Sequence, residues 1–253
     1  MGSDALFDFL VKGATRPVSG WNFSYVAVTQ RLVTEPLPWS YASNVLPRLQ
    51  CVESLLDMGT GGGEFLSLLH PFPKHTYATE GYAPNVPIAR QRLEPLGVKV
   101  IQSRDDNHLP FADDEFELVI NRHECYKPSE VARVLTSHGQ FITQQVGEQN
   151  NLELNQMLGA KTGSNNKFWN VVTAVEELKT AGFVILEQQE AFPVTRFYDI
   201  GAVVYYLNAV SWQIPGFSVE SFAPALRRIH QQIQQQGYLE VPSHRFLIIA
   251  YKE

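Results

Sequence analysis

The stretch LLDMGTGGGE, residues Leu55–Glu64, decides how the rest of the chain is interpreted. An apolar strand is predicted to end at Asp57, and a glycine-rich loop follows it directly. Gly59, Gly61 and Gly63 recur at every second position, where they allow a tight turn and a close approach of the backbone to a ligand. A strand followed by a glycine loop that opens a helix is typical of a cofactor-binding unit.

The dinucleotide fingerprint GxGxxG is the obvious rival interpretation of this loop, and the sequence fits it poorly. If Gly59 and Gly61 are its first two glycines, its third glycine position holds Glu64. A dinucleotide pyrophosphate would also lie between Asp57 and Glu64, and carboxylates close to a dianion are unfavourable. The acidic loop therefore disfavours a nicotinamide oxidoreductase. It favours a cationic ligand without phosphate, such as S-adenosylmethionine, whose amino group Asp57 would hold.

The loop resembles the first motif of the class I S-adenosylmethionine-dependent methyltransferases, in which an acidic residue precedes GxGxG. The resemblance implies that this segment contacts the cofactor through the residues Asp57, Gly59, Thr60, Gly61 and Gly63.

Further segments continue the resemblance in the order that the family has them. Glu80 ends the second predicted strand, which implies that its carboxylate accepts both ribose hydroxyls and that Gly81 and Tyr82 lie against the adenine. The segment that begins at Asp105 is similar to the family's Asp-Ala-x-x-Leu-Pro-Phe. By this resemblance Asp105 binds the adenine amino group through its side chain, and Asp106 binds the ring through its backbone N–H.

The strand that begins at Phe116 resembles the fourth motif of the family. Members that methylate bases or glutamine carry Asn/Asp-Pro-Pro-Tyr/Phe after it, and the prolines are absent here, which disfavours those reactions. Asn121 is predicted to contact the cofactor. His123 and Glu124 are the candidate catalytic residues, because ligands bind at this edge of open α/β sheets and a histidine can deprotonate a hydroxyl or amine. A packing role for His123 is the alternative.

Short strands and helices alternate from residue 52 onward, which predicts βαβ units. Strands are predicted over Val52–Met58, His75–Glu80 and Phe116–Asn121, and helices over Gly61–His70 and from a cap at Thr173 to Thr180. With the resemblance, this implies an α/β fold: a Rossmann-like, seven-stranded, mainly parallel sheet with helices on both faces. We predict a helical N-terminal cap over residues 1–50, a cofactor-binding core over 51–191, a helical lid over 192–241 and a closing strand of the core over 242–253.

The composition narrows the classes of partner. The 253 residues carry a formal net charge of −6, which argues against a binder of duplex nucleic acid. No apolar run approaches the ~20 residues of a membrane span, and the N-terminus lacks the basic region of a signal peptide. We therefore expect a cytoplasmic protein that binds neither nucleic acid nor membrane. Its two cysteines are predicted to be reduced and mostly buried, and no metal site is expected.

The first interpretation is a methyltransferase that acts on a small-molecule acceptor by in-line displacement, beneath a lid rich in aromatic residues. Two alternatives stay open: a non-catalytic or regulatory module that binds S-adenosylmethionine on the same fold, and a methyltransferase of RNA or protein. The sequence identifies neither the acceptor nor the oligomeric state.

Overall fold

The computed structural model describes residues 3–15, 23–103, 105, 107–160 and 169–253. The chain divides into two compact units. The larger, called the core unit below, comprises residues 38–147, 168–191 and 245–253. The smaller, called the second unit, comprises residues 1–37, 148–167 and 192–244.

The strands of the described residues are, in chain order, β1 (Leu32–Thr34), β2 (Ser54–Met58), β3 (His75–Glu80), β4 (Lys99–Gln102), β5 (Phe116–Arg122), β6 (Leu135–Val146), β7 (Phe183–Ala191), β8 (Val194–Phe197), β9 (Leu239–Pro242) and β10 (Arg245–Lys252). The α-helices are α1 (Ser3–Ala14), α2 (Ser24–Ala27), α3 (Tyr41–Leu49), α4 (Val86–Leu93), α5 (Pro128–Val134), α6 (Leu152–Leu158), α7 (Val171–Thr180), α8 (Ile200–Ala209) and α9 (Val219–Gln236). Short 3-10 helices cover Leu66–Leu69 and Glu94–Leu96.

In the described part of the core unit, seven strands form one sheet in the order β4-β3-β2-β5-β6-β10-β7. The neighbours from β4 to β6 are parallel, and β10 runs antiparallel to both β6 and β7. This confirms the predicted Rossmann-like, mainly parallel sheet. The strand order reverses between β2 and β5, and open sheets of this type bind ligands beyond the carboxyl ends of the strands at such a switch point.

Apolar side chains pack the sheet of the core unit against its helices. Every residue of β2 is buried, as expected for a central parallel strand covered on both faces. The helix α7 buries one stripe at helical spacing, which includes Ala174 and Leu178. Its N-cap is Asn170, whose side chain accepts from the backbone N–H of Thr173 at 3.1 Å. The prediction that Thr173 caps this helix is therefore wrong by one turn, because an asparagine supplies the same oxygen acceptor.

The second unit contains an element that the sequence did not predict. Its strands β1, β8 and β9 form a three-stranded antiparallel sheet in the order β1-β8-β9. The predicted helical lid, residues 192–241, therefore holds β8 and most of β9 besides α8 and α9. These strands have only three or four residues each, which is too short for a period of two to stand out. The covering role of residues 192–241 stays a prediction.

Two smaller expectations also need correction. The segment from Gly61 to His70 was expected to be one helix, but only Leu66–Leu69 form a helical turn, because the glycines before them adopt left-handed conformations. Cys51 and Cys125 are exposed rather than buried. No helix among the described residues has the length and apolar character that would let it cross a membrane.

Candidate functional site

The glycine loop after β2 has a backbone that only glycine adopts at low cost. The φ angles of Gly59, Gly61 and Gly63 are 68°, 64° and 76°. A Cβ atom on Gly59 would lie 2.4 Å from Cγ of Glu124, and one on Gly63 would lie 2.7 Å from Cγ of Leu93. The glycines are therefore required both for the left-handed turns and for the absence of side chains.

Hydrogen bonds hold this loop against the neighbouring strand β3. The backbone N–H of Thr60 donates to the carbonyl oxygen of Thr79 at 2.8 Å, and that of Gly59 donates to Oγ1 of Thr79 at 3.3 Å. On the far side of the loop, Arg92 forms an ion pair with Glu64 at 2.8 Å. Because Arg92 offsets the charge of Glu64, the repulsion that a phosphate ligand would meet at this loop comes chiefly from Asp57.

Asp57 is a buried acid directly behind the loop. Asp57 is 6% exposed, and burial raises the pKa of its carboxyl to about 7. The nearby hydroxyl of Thr60 and the guanidinium of Arg122 lower this pKa, whereas Glu80 raises it further. The carboxylate therefore lacks enough positive or donor partners to offset its desolvation, and a cationic group beside it would stabilise the ionised form.

Glu80 ends β3 close to the same loop. It is 5% exposed, and its Oε1 accepts a hydrogen bond from the backbone N–H of Tyr82 at 2.7 Å. Burial raises the pKa of Glu80, while the backbone N–H groups of Tyr82 and Gly61 oppose the rise. Tyr82 is 65% exposed, and Gly81 lies between the two. The structure thus brings Glu80 to the glycine loop, and its ribose-binding role stays a prediction.

Asp105, the first of the two predicted adenine-binding acids, lies in the loop that follows β4. The backbone N–H of Ser103 donates to the carbonyl oxygen of Glu80 at 3.2 Å, so this loop starts beside Glu80. Asp105 is exposed, and its Oδ1 accepts from the backbone N–H of Asn107 at 2.9 Å in a local turn. Asp106 lies outside the described residues. An adenine-binding role for either acid stays a prediction.

Asn121 is wholly buried near the end of β5, next to Met58 of β2. Its Oδ1 accepts from Nε2 of Gln145 at 2.6 Å and from Oγ1 of Thr143 at 3.2 Å. Its Nδ2 has no hydrogen-bond partner among the described residues. A buried donor without a partner is costly, so this amide is suited to a ligand atom that accepts a hydrogen bond.

A chain of hydrogen bonds fixes the proton position on His123. The indole Nε1 of Trp39 donates to Oε1 of Gln144 at 2.9 Å, and the amide nitrogen of Gln144 lies 3.0 Å from Nε2 of His123. Because an indole N–H can only donate, the Gln144 amide nitrogen faces His123, whose Nε2 accepts and whose proton is on Nδ1. Desolvation of the ring, together with the charges of Arg245 and Arg122, lowers the pKa of His123, so the imidazole is neutral at neutral pH.

The other candidate catalytic residue, Glu124, lies against the glycine loop. Its side-chain atoms occupy the space in which a Cβ of Gly59 would stand, and its Oε1 accepts from the backbone N–H of Cys125 at 3.0 Å. His123, which precedes it, has a left-handed φ of 67°. A catalytic role for either residue stays a prediction.

Sequence reasoning missed the side chains that organise this edge of the sheet, namely Trp39, Arg122, Gln144 and Gln145. Their polar atoms either hold His123 and Asn121 in place or, for Arg122, influence Asp57. The one available signal was position. Arg122 is the last residue of β5, beside the switch point, and Gln144 and Gln145 lie near the end of the neighbouring strand β6.

The residues present fit S-adenosylmethionine. The buried Asp57 is suited to an ammonium group, and the glycine loop leaves space where side chains would stand. Glu80 supplies a second carboxylate at the end of the adjacent strand, where ribose hydroxyls could donate to it.

Comparison with known proteins finds a methyltransferase domain and methyltransferases of similar fold. Residues 56–143 match the model of a family described as a methyltransferase domain. A methyltransferase candidate from Bacillus halodurans C-125 has a similar structure, with a TM-score of 0.60 and 19% identity over 83% of this chain and 99% of that one. A sarcosine dimethylglycine methyltransferase candidate from Galdieria sulphuraria gives a TM-score of 0.53 and 12% identity over 99% of this chain and 97% of that one. A geranyl diphosphate methyltransferase, solved with GPP and sinefungin, gives a TM-score of 0.52 and 15% identity over 84% of this chain and 77% of that one. No curated protein matches the sequence significantly.

Residues 56–143 are therefore a methyltransferase domain, and the sheet and the glycine loop are those of the class I S-adenosylmethionine-dependent methyltransferases. The cofactor of this domain is S-adenosylmethionine. The matched residues run from β2 to β6 and include the glycine loop, Glu80 and Asn121. At these low identities, the likeness to the solved structures is a likeness of fold.

Proposed function

We propose that the chain transfers a methyl group from S-adenosylmethionine to a small-molecule acceptor, with Asp57 and Glu80 holding the cofactor. The observation that carries the proposal is the buried Asp57 carboxylate behind a loop with no room for side chains. Two structurally similar proteins are named for small acceptors, geranyl diphosphate in one and sarcosine or dimethylglycine in the other. The net charge of −6 also favours a small acceptor over a nucleic acid.

When bound, S-adenosylmethionine supplies an electrophilic methyl group that an acceptor nucleophile can displace in line. In this proposal Asp57 orients the ammonium group, and Glu80 accepts hydrogen bonds from the ribose hydroxyls. The contribution of the protein is then mainly positioning, which accelerates a reaction by removing the freedom of the reacting groups.

The two candidate catalytic residues receive different roles. His123 in its Nδ1–H form is proposed to donate a hydrogen bond, because the lone pair of Nε2 already accepts from Gln144. Glu124 lies against Gly59 and is therefore the better placed of the two to accept a proton from an acceptor beside the loop.

Incubation of the protein with S-adenosylmethionine and a metabolite extract tests the acceptor class. We expect mass spectrometry to find small molecules heavier by one CH2 unit, formed by the wild type and lost in Glu80→Ala. Methyl transfer only to RNA or protein would contradict the proposal in favour of a polymer acceptor. Binding of S-adenosylhomocysteine without any methylated product would favour the non-catalytic module.

A further inference from the structure

We infer that Arg122 binds the carboxylate of the methionine part of the cofactor, so that Asp57 and Arg122 together clamp its zwitterionic end. The inference rests on the proposed function, since it takes S-adenosylmethionine as the ligand of this loop. Arg122 was not among the residues that the sequence indicated.

The strand register brings the two charged side chains to one face of the sheet. Asp57 of β2 pairs with Ile120 of the parallel strand β5. Paired residues of adjacent strands point to the same face, and a residue two positions farther along points there again. Arg122 therefore shares the face of Asp57, one strand away, at the carboxyl edge where the strand order reverses.

The guanidinium of Arg122 is available to a ligand. The residue is exposed, and among the described residues its side chain takes part in no hydrogen bond and in no ion pair within 4 Å. Desolvation lowers the pKa of Arg122 and the charges of Tyr41 and Asp57 raise it, while Arg122 lowers the pKa of Asp57, so the charges of Arg122 and Asp57 interact. Asp57 and Arg122 form no ion pair within 4 Å with each other, so each charge is open to a partner from a ligand.

Two aromatic rings, those of Phe65 and Tyr41, lie beside the guanidinium of Arg122 and orient it. Its central carbon lies 4.5 Å from the ring centroid of Phe65, and the ring of Tyr41 lies 5.5 Å from that of Phe65. Tyr41 is itself anchored, because its hydroxyl donates to the carbonyl oxygen of Asn121 at 3.1 Å. Stacking on a ring uses one face of the guanidinium and leaves its N–H edge free for a bidentate carboxylate.

The clamp predicts which ligands the site accepts. A ligand with both an ammonium and a carboxylate on one carbon satisfies Asp57 and Arg122 together. An analogue without the carboxylate leaves Arg122 without its partner. We therefore expect the site to prefer S-adenosylhomocysteine over its decarboxylated analogue, which keeps the amine and the nucleoside.

Calorimetric titration of these two ligands into the wild type, Arg122→Ala and Arg122→Lys tests the clamp. We expect Arg122→Ala to weaken binding of S-adenosylhomocysteine at least about tenfold and to leave the decarboxylated analogue within about twofold. Arg122→Lys should recover part of the loss, since it keeps the charge without the planar fork. Arg90→Ala, which removes an exposed arginine of α4, is the matched control and should match the wild type.

Two results would overturn the clamp. One is wild-type affinity of Arg122→Ala for S-adenosylhomocysteine. The other is an equal loss for both ligands, which would indicate a structural role for Arg122. The wild-type titration tests the cofactor separately, so failure of the proposed function and failure of the clamp are distinguishable.

Discussion

Asp57→Asn should make the ligand-free protein more stable at about pH 8 and reduce its affinity for S-adenosylhomocysteine at least about tenfold. The stability gain arises because the substitution removes a buried charge that the folded protein compensates poorly. The affinity loss arises because the ligand's ammonium loses an ionised partner. A change that stabilises the fold while it weakens binding is a signature of a functional acid.

The pH dependence of stability has a definite sign. The pKa of Asp57 is about 7 in the folded protein, against an ordinary value of 3.8. Between these values the folded state binds more protons than the unfolded state, so the free energy of unfolding falls as the pH rises. The penalty is complete above pH 7 and amounts to at most roughly 4 kcal/mol. Urea unfolding should therefore show wild type and Asp57→Asn diverging as the pH rises from about 4 to about 8.

Binding should show the matching dependence. Because the ammonium group selects the ionised acid, wild-type affinity for S-adenosylhomocysteine should rise between about pH 5.5 and 7.5, and binding there should release protons. The affinity of Asp57→Asn should stay flat over this range. Glu64→Gln is the control, since Glu64 is partly exposed and paired with Arg92. An Asp57→Asn protein that is less stable than wild type and binds equally well would contradict the assignment.

Gly59→Ala should lower both stability and cofactor affinity. The alanine Cβ would stand 2.4 Å from Cγ of Glu124, at a left-handed φ of 68°. We expect a loss of about 2–4 kcal/mol in the free energy of unfolding, from the strained backbone and the displaced Glu124. Affinity for S-adenosylhomocysteine should fall at least about tenfold, because the loop must shift by more than a hydrogen bond tolerates.

Gly97→Ala separates the backbone effect from the site effect. Gly97 also has a left-handed φ, of 87°, but a Cβ there would meet no atom within 4 Å. This variant should lose only about 1–2 kcal/mol of stability and should bind S-adenosylhomocysteine as the wild type does. If Gly59→Ala and Gly97→Ala lost affinity for S-adenosylhomocysteine equally, the inference that Gly59 is specifically needed for cofactor binding would be wrong.

The central sheet was predictable because its signals are local. β3 was predicted at its observed bounds, and β2 and β5 to within two residues, since apolar runs bounded by turns mark buried parallel strands. The small sheet of the second unit was not predictable, because its short strands pair across long stretches of chain and leave little trace in the sequence.

Some residues of the candidate site were likewise predictable from local sequence patterns, and others were not. Asp57, Glu80 and the glycines could be found because they follow strands in a known order. The roles of Gln144 and Trp39 depend on a contact between distant parts of the chain, so no local pattern indicates them. Tyr206 shows the same limit, since its hydroxyl accepts from Nδ2 of Asn151 at 2.7 Å within the second unit, and helical spacing alone does not reveal that bond.

Calorimetric titration of the wild-type chain with S-adenosylhomocysteine and, separately, with NAD tests the central claim most directly. We expect dissociation constants on the order of micromolar for S-adenosylhomocysteine and no comparable binding of NAD, because a buried acid rather than a phosphate site lies behind the loop. Tight binding of NAD without any heat from S-adenosylhomocysteine would contradict it.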